Sequence, residues 1–191
     1  MKKGILVLLG VVALLVIWAV SSYNGLVGKE EEVKKWWSKV QTQYQRRADV
    51  FKNAVETVKG AAANEKEILL GVTKARAGID ESQEKMKTAQ TPAELDAALR
   101  QAQTAAMNLK IQIEAYPNIR STDAFTKFQD EVSGTENRIA VARNDYNDAV
   151  QTFNTSIRRF PTNIFANIMG LKVRESFEAE KGSEKSPDVK F

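Results

Sequence analysis

The chain has 191 residues, 43% of them hydrophobic, which is enough for one domain with a real core. Its 28 basic and 24 acidic residues leave a net charge of +4, part of it from Lys2 and Lys3 at the extreme N-terminus, and such interspersed signs argue against a dedicated nucleic-acid binder. Cysteine and histidine are both absent, so thiolate and imidazole catalysis, zinc sites, Glu-x-x-His di-iron sites and a lipidated-cysteine anchor are excluded.

The first element is the apolar run "KKGILVLLGVVALLVIWAVSSY", uncharged from Gly4 to Val20. As a helix it spans roughly 25 Å, and Trp18, Ser21, Ser22 and Tyr23 extend it toward the interface of a bilayer core about 30 Å thick. Residues 1–23 therefore read as a transmembrane anchor that contacts the lipid bilayer through residues 4–20, with Trp18 and Tyr23 suited to an aromatic belt. A cleaved signal peptide is the competing reading, because Ala19-Val20-Ser21 is a tolerable small-x-small site; the apolar run exceeds the usual signal core, which favours a retained anchor. Lys2 and Lys3 abut the membrane more closely than Lys29, Lys34 and Lys35. That asymmetry points to a cytoplasmic N-terminus and a bulk domain on the exported side of a single-pass membrane protein.

From Lys29 onward the apolar residues recur at helical spacing without strand alternation, so the fold class expected is all-α. A first stretch carries Trp37, Val40, Tyr44, Phe51, Ala54 and Val58 with Arg47 on the same stripe. A second carries Leu69, Val72 and Ile79, with Glu65 and Arg76. Gly60 and Asn64 permit a turn between them, although the heptad stripe passes almost unbroken through "VETVKGAAANEKE" and also permits one long helix. The third opens at "TPAELDAAL" with Thr91 as cap, Pro92 at the first helical position and Glu94 at the capping-box position, then runs through Leu95, Leu99, Ala102, Ala106, Leu109 and Ile113 to Tyr116-Pro117. The fourth opens at "STDAF" and places Phe125, Phe128, Val132, Ile139, Tyr146, Phe153 and Phe160 on one line. Two long and two shorter stretches close into an antiparallel up-and-down four-helix bundle over residues 24–161. Residues 162–177, with Ile164, Phe165, Ile168, Met169 and Leu171, read as a short membrane-proximal amphipathic segment, better placed as a cap on the bundle end than as an interfacial helix. Residues 178–191, "EAEKGSEKSPDVKF", have little to bury and read as a disordered tail.

The fragment "GTENRIAVARNDYNDAVQTFN" concentrates polar groups beside the fourth core line. Asn147 and Asn154 lie seven apart next to Tyr146 and Phe153, a placement that fits hydrogen bonding between helices. Arg138, Arg143, Arg47 and Arg76 require carboxylates wherever they approach the core, and Glu65 and Glu136 are the obvious ones. Trp36 and Trp37 point about 100° apart, so one suits the core and the other an exposed or membrane-facing position. These residues are structural or interaction candidates. No nucleophile or acid–base pair stands out, so no catalytic, metal or cofactor site and no enzyme activity is expected.

The chain resembles the LemA family of bacterial membrane-anchored proteins. The resemblance rests on "YNGLV" after the apolar segment, "QRRADVFKNAVETVKGAAANEKEIL" with its later "KAR", the block "YPNIRSTDAFTKFQDEVSGTENRIAVARNDYNDAVQTFN", and "FPTNIFANIMG", together covering nearly all of residues 23–171. It implies an N-terminal transmembrane helix and an antiparallel bundle, a biochemical role that is largely undefined, and, from members encoded near membrane proteases or belonging to magnetosomes, a part in membrane organisation. No catalytic residues carry over. The chain departs from the common pattern at Phe51-Lys52-Asn53, where many members have a proline before the asparagine, and at Asn64, where many have histidine; the first leaves the initial helix straighter and the second removes imidazole. The function expected is a non-enzymatic scaffold or adaptor contacting unidentified membrane or envelope proteins. The rival is a lipid- or envelope-ligand-binding module with a groove among Trp36, Trp37, Phe160 and Phe165.

Overall fold

The computed structural model describes residues 2–61, 66–114 and 123–178, and side chains within 3–60, 66–111 and 135–178. Among them there is no strand, and five helices follow in order: α1 Lys2–Ala61, α2 Lys66–Thr88, α3 Pro92–Glu114, α4 Asp123–Arg158 and α5 Thr162–Ile168. The all-α, up-and-down reading holds. Glu65, Asn64, the Tyr116-Pro117 stop, the side chains of Ile113, Phe125, Phe128 and Val132, and the tail after Glu178 lie outside the described residues.

α1 is one helix of 60 residues, roughly 90 Å long, that carries the apolar N-terminal run straight into the bundle. No proline interrupts it, Lys52 standing where a ring would have bent the helix. Its buried face repeats every seven residues: Leu26, Val33 and Val40 form one line, and Tyr44, Phe51 and Val58 another. Arg47 falls on the next position of the first line, which is why a guanidinium is 6% exposed there.

Cross-links between helices fix the antiparallel order. On α1 and α2, Gln41 Nε2 donates to the carbonyl oxygens of Met86 and Ala89, Gln83 Nε2 donates to Asp49, and Lys52 Nζ donates to Asp80, so the pairing climbs one helix as it descends the other. α2 and α3 approach closely where a Cβ on Gly78 would stand 3.1 Å from Ala105 Cβ. On α1 and α4, Lys29 Nζ donates to Ser156 Oγ, Lys39 pairs with Asp145 and Arg47 with Glu136. α1 therefore ends at Ala61, one residue past Gly60, and α2 runs antiparallel to it from Lys66, so the first two stretches are separate helices and not one longer rod.

α3 begins as its sequence dictates. Glu94 N–H donates to Thr91 Oγ1, and the Glu94 carboxylate reaches back to the Gln90 N–H, one residue before the usual capping-box donor. Thr91→Ala is expected to cost about 1 kcal/mol, read as a lowered melting midpoint.

Several expected positions move. On α2 the buried line is Ile68, Val72, Ala75, Ile79 and Met86, while Leu69 is only half-buried and Leu70 is exposed. Arg76 lies on the surface between Glu56 and Asp80, away from the core. Phe160, placed by its spacing on the α4 core line, is 77% exposed, because α4 ends at Arg158 and the chain turns before reaching it.

Candidate functional site

α2 ends and α3 begins opposite Gln41, whose amide donates to Met86 O in the last turn of α2 and to Ala89 O just past it. On the N-terminal side of that level α1 has α4 alongside it but neither α2 nor α3, and two helices cannot enclose the line through Leu26, Val33 and Trp37. The missing wall comes from the chain's own C-terminal segment. α5 ends in a Schellman motif, Leu171 N–H donating to Ala166 O and Gly170 N–H to Asn167 O, with Gly170 at φ 67°, where a side chain would be strained. Residues 171–178 then run without helical structure back along α1 and α4 as a strap.

Two asparagines hold the strap by its main chain. Asn154 Nδ2 donates to Arg174 O at 2.8 Å while its Oδ1 accepts the Arg174 N–H at 2.9 Å; Asn147 does the same to Phe177 O at 3.0 Å and to the Phe177 N–H at 2.8 Å. Each amide thus replaces one neighbour of a sheet ladder. The spacings match: seven residues of helix advance about 10.5 Å and three residues of extended chain about 10 Å. Tyr146 OH adds a hydrogen bond to Glu175 O, and the Arg174 guanidinium reaches Glu30 on α1.

The strap's anchor is Phe177, 7% exposed and alone among polar neighbours. Its ring stacks on Trp37 at 6.1 Å between centroids, meets Tyr146 edge-on at 5.5 Å and lies 6.2 Å from Tyr44. Arg143 closes the cage, its guanidinium carbon 5.2 Å from the Phe177 ring centre and 5.4 Å from that of Tyr44. The same guanidinium donates from Nε to Tyr44 OH and from Nη2 to Asp96 Oδ1 at 2.6 Å, and Tyr44 OH donates to Asp96 in turn. One arginine therefore ties α1, α3, α4 and the strap into a single network.

Burial, and next the hydrogen bond to Asp96, push the Tyr44 hydroxyl far above its ordinary value; burial likewise raises Tyr146. A folded-state value above the unfolded one near 10 stabilises the fold at lower pH, and that contribution falls away as pH rises beyond it, because the unfolded chain releases the proton more readily. The expected outcome is a melting midpoint that drops above pH 10, with Tyr44→Phe flattening the drop; phenolate absorbance followed alongside unfolding checks it.

Beside this network α1, α3 and α4 leave a cleft of about 240 Å³ lined by Arg47, Arg100, Arg143, Asp96 and Glu136. Its carboxylates are occupied, Asp96 by Arg143 and Tyr44, and Glu136 by Arg47 at 3.2 Å. Arg47 Nε finds no hydrogen-bond partner among the described residues. Among the described residues no three carboxylates converge as a metal site would require.

Arg143, Tyr146, Asn147, Asn154 and Trp37 thus meet at one place, around the strap. The asparagines do not bond across helices, as their position beside the core line implied; among the described residues neither α2 nor α3 reaches their level, and the strap takes that place. Glu136 does pair with Arg47, but the partners of Arg143 are Asp96 and Tyr44. Arg138 is exposed on α4 and outside the network. Trp36 is half-buried beneath the ammonium groups of Lys35 and Lys39, 5.2 and 4.2 Å from its ring centre. Phe165 contacts Trp18 at 5.2 Å, roughly 28 Å along α1 from Trp37, so Trp36, Trp37, Phe160 and Phe165 do not form one groove. Sequence reasoning missed Phe177, Asp96 and Tyr44 as members of the site. The available signal was Phe177 itself, a lone aromatic in a polar stretch.

The profile of the LemA family matches residues 36–191, most of the chain. "Protein LemA" of Metamycoplasma hominis is 27% identical over 158 residues, 83% of this chain and 69% of that protein. "Magnetosome protein MamQ 2" of Paramagnetospirillum magneticum is 38% identical over 77 residues, and "Magnetosome protein MamQ" of Magnetospirillum gryphiswaldense 31% over 77 residues, each covering 40% of this chain. These matches span only 28% of the length of either magnetosome protein.

Proposed function

The chain belongs to the LemA family, and from that premise we propose that it serves as a non-enzymatic scaffold or adaptor of the bacterial envelope, holding a rigid helical bundle at a fixed height above the membrane. The observation that carries this reading is the continuity of α1. Its N-terminal part has a mean hydropathy of 2.8 over its most apolar window, with none of that window buried by the protein, and the same helix becomes the longest member of the bundle without a hinge. A swivelling reader of distant ligands would need a flexible linker there; a spacer needs a rod. The lysines closest to the span support a bulk domain on the exported side.

The polar network agrees with a structural role. Asp96, Arg143 and Tyr44 satisfy one another and hold the strap, so these three groups are engaged in structural contacts. Partner contact falls to the outer surface, where Leu70 on α2 and Met107 and Ile111 on α3 remain exposed at the end of the bundle farthest from the span. The test is alkaline membrane extraction followed by in-cell crosslinking of the full chain. Retention in the pellet and discrete crosslinked partners, lost on Leu70→Asp with Met107→Asp, are expected. A freely soluble chain, or crosslinks no richer than those of an unrelated anchored bundle, would overturn the reading.

A further inference from the structure

The apolar run of α1 is a little short for a bilayer core, so the core boundary falls at the level of Trp18 to Tyr23 and whatever packs on Trp18 lies at the lipid boundary. α5 packs there, through the Phe165 ring against the Trp18 ring. With its inner face thus used and Ala166 buried, α5 leaves Ile164 and Ile168, four residues apart and therefore on one face, 49% and 77% exposed. Phe160 in the preceding turn is 77% exposed, and Val173 at the start of the strap 57%. Arg158, Arg159 and Lys172, all exposed, flank this face.

We propose that α5 and its flanking turn form a second membrane contact, in which Phe160, Ile164 and Ile168 enter the headgroup region of the leaflet that the bundle faces and the flanking Arg158, Arg159 and Lys172 meet anionic lipid phosphates. The occupant is the bilayer because the patch is continuous with the span: Trp18, in the last turn of the apolar run of α1, touches the helix that carries the patch. An apolar stripe bordered by cations is the arrangement that binds in the interface plane. This contact does mechanical work for the scaffold reading, on which it rests. A single helix in lipid leaves a bundle free to rotate and tilt, whereas a span plus a laterally displaced foot fixes both. The strap leaves directly from this foot, so its clamp on α4 holds α5 in place from the other side.

The chain has no native cysteine, so single-cysteine variants of the full protein report cleanly. Phe160→Cys and Ile168→Cys, labelled with a polarity-sensitive fluorophore, are placed in vesicles of phosphatidylcholine and phosphatidylglycerol carrying nitroxides at shallow or deep positions. Val12→Cys reports the span, and Met107→Cys, 62% exposed at the far end of the bundle, reports water. The proposal expects blue-shifted emission at 160 and 168 and several-fold stronger quenching by the shallow nitroxide than at 107, with 12 quenched by the deep one. If 160 and 168 behave like 107 while 12 is quenched deeply, the anchor stands and the foot is refuted. If 12 also reports water, the anchor reading fails and the foot with it. Shielding of 168 that grows with protein density but ignores both nitroxides would assign the patch to a second copy of the chain, against the proposal.

Discussion

Phe177→Ala is expected to release the strap. The ring is enclosed by Trp37, Tyr44, Tyr146 and Arg143, and truncating an enclosed phenylalanine costs about 3–5 kcal/mol. At the lower bound that is roughly a hundredfold in the docking equilibrium. Because the strap follows the last of the described helices, it can leave without unfolding the bundle, so the loss of global stability is capped at the strap's own docking free energy. Local and global measurements should therefore part company. Hydrogen exchange at the Arg174 and Phe177 amides, which donate to Asn154 and Asn147, should accelerate by about two orders of magnitude, while amides in the middle of α2 and α3 keep most of their protection. Trp37 fluorescence should shift to the red as its stacking partner departs. Asn154→Asp offers a finer test at constant shape: the carboxylate can still accept from the Arg174 N–H but faces the Arg174 carbonyl with no proton to give. It should accelerate exchange at Arg174 more than Asn154→Ala does, where water can enter. Unchanged protection at Arg174 and Phe177 in the Phe177 variant would mean that the aromatic cage does not hold the strap.

What could be read from the sequence was whatever rests on periodicity. Leu26, Val33 and Val40, then Tyr44, Phe51 and Val58, announce a helix by spacing alone, and the Thr91-Pro92-Glu94 start of α3 is a local signal with a local cause. The strap has no such signal. Residues 174–178 carry one buried aromatic among exposed polar groups, and main-chain recognition by Asn147 and Asn154 leaves no mark on the segment recognised. The asparagines themselves were visible, as was their seven-residue separation; their partner was not, because a side-chain amide bonds another helix or an extended chain with equal ease. Asp96 was hidden for a related reason. It is half-buried one position beyond the core residue Leu95, and nothing in α3 alone says that an arginine on α4 and a tyrosine on α1 converge on it. Phe160 failed in the opposite direction: its spacing continued the core line, but the helix stopped two residues earlier.

Arg143→Ala should weaken the bundle itself, where Phe177→Ala acts mainly on the strap. Removing one member of an enclosed ion pair costs about 3–5 kcal/mol where both partners are buried, and the partial exposure here, 27% for Arg143 and 21% for Asp96, reduces the expected loss to about 2–3 kcal/mol. For a chain of this size that corresponds to a melting midpoint lower by roughly 5–10 °C. The alanine leaves Asp96 with only the Tyr44 hydroxyl, removes the donor to Tyr44 and strips the cation from between two rings. Lysine should recover little, since one ammonium cannot span the Tyr44 oxygen and the Asp96 carboxylate while lying flat between the rings. Two double-mutant cycles then divide the effect. Pairing Arg143→Ala with Asp96→Ala should show positive coupling of about 1–2 kcal/mol, because the second change costs less once the first has left the carboxylate unpaired. Pairing Arg143→Ala with Phe177→Ala should also fall short of additivity, since the guanidinium is one wall of the strap's cage as well as a brace between α1, α3 and α4. Strict additivity in that second cycle would mean that strap and bundle are held independently, and the arginine would then serve the helices alone.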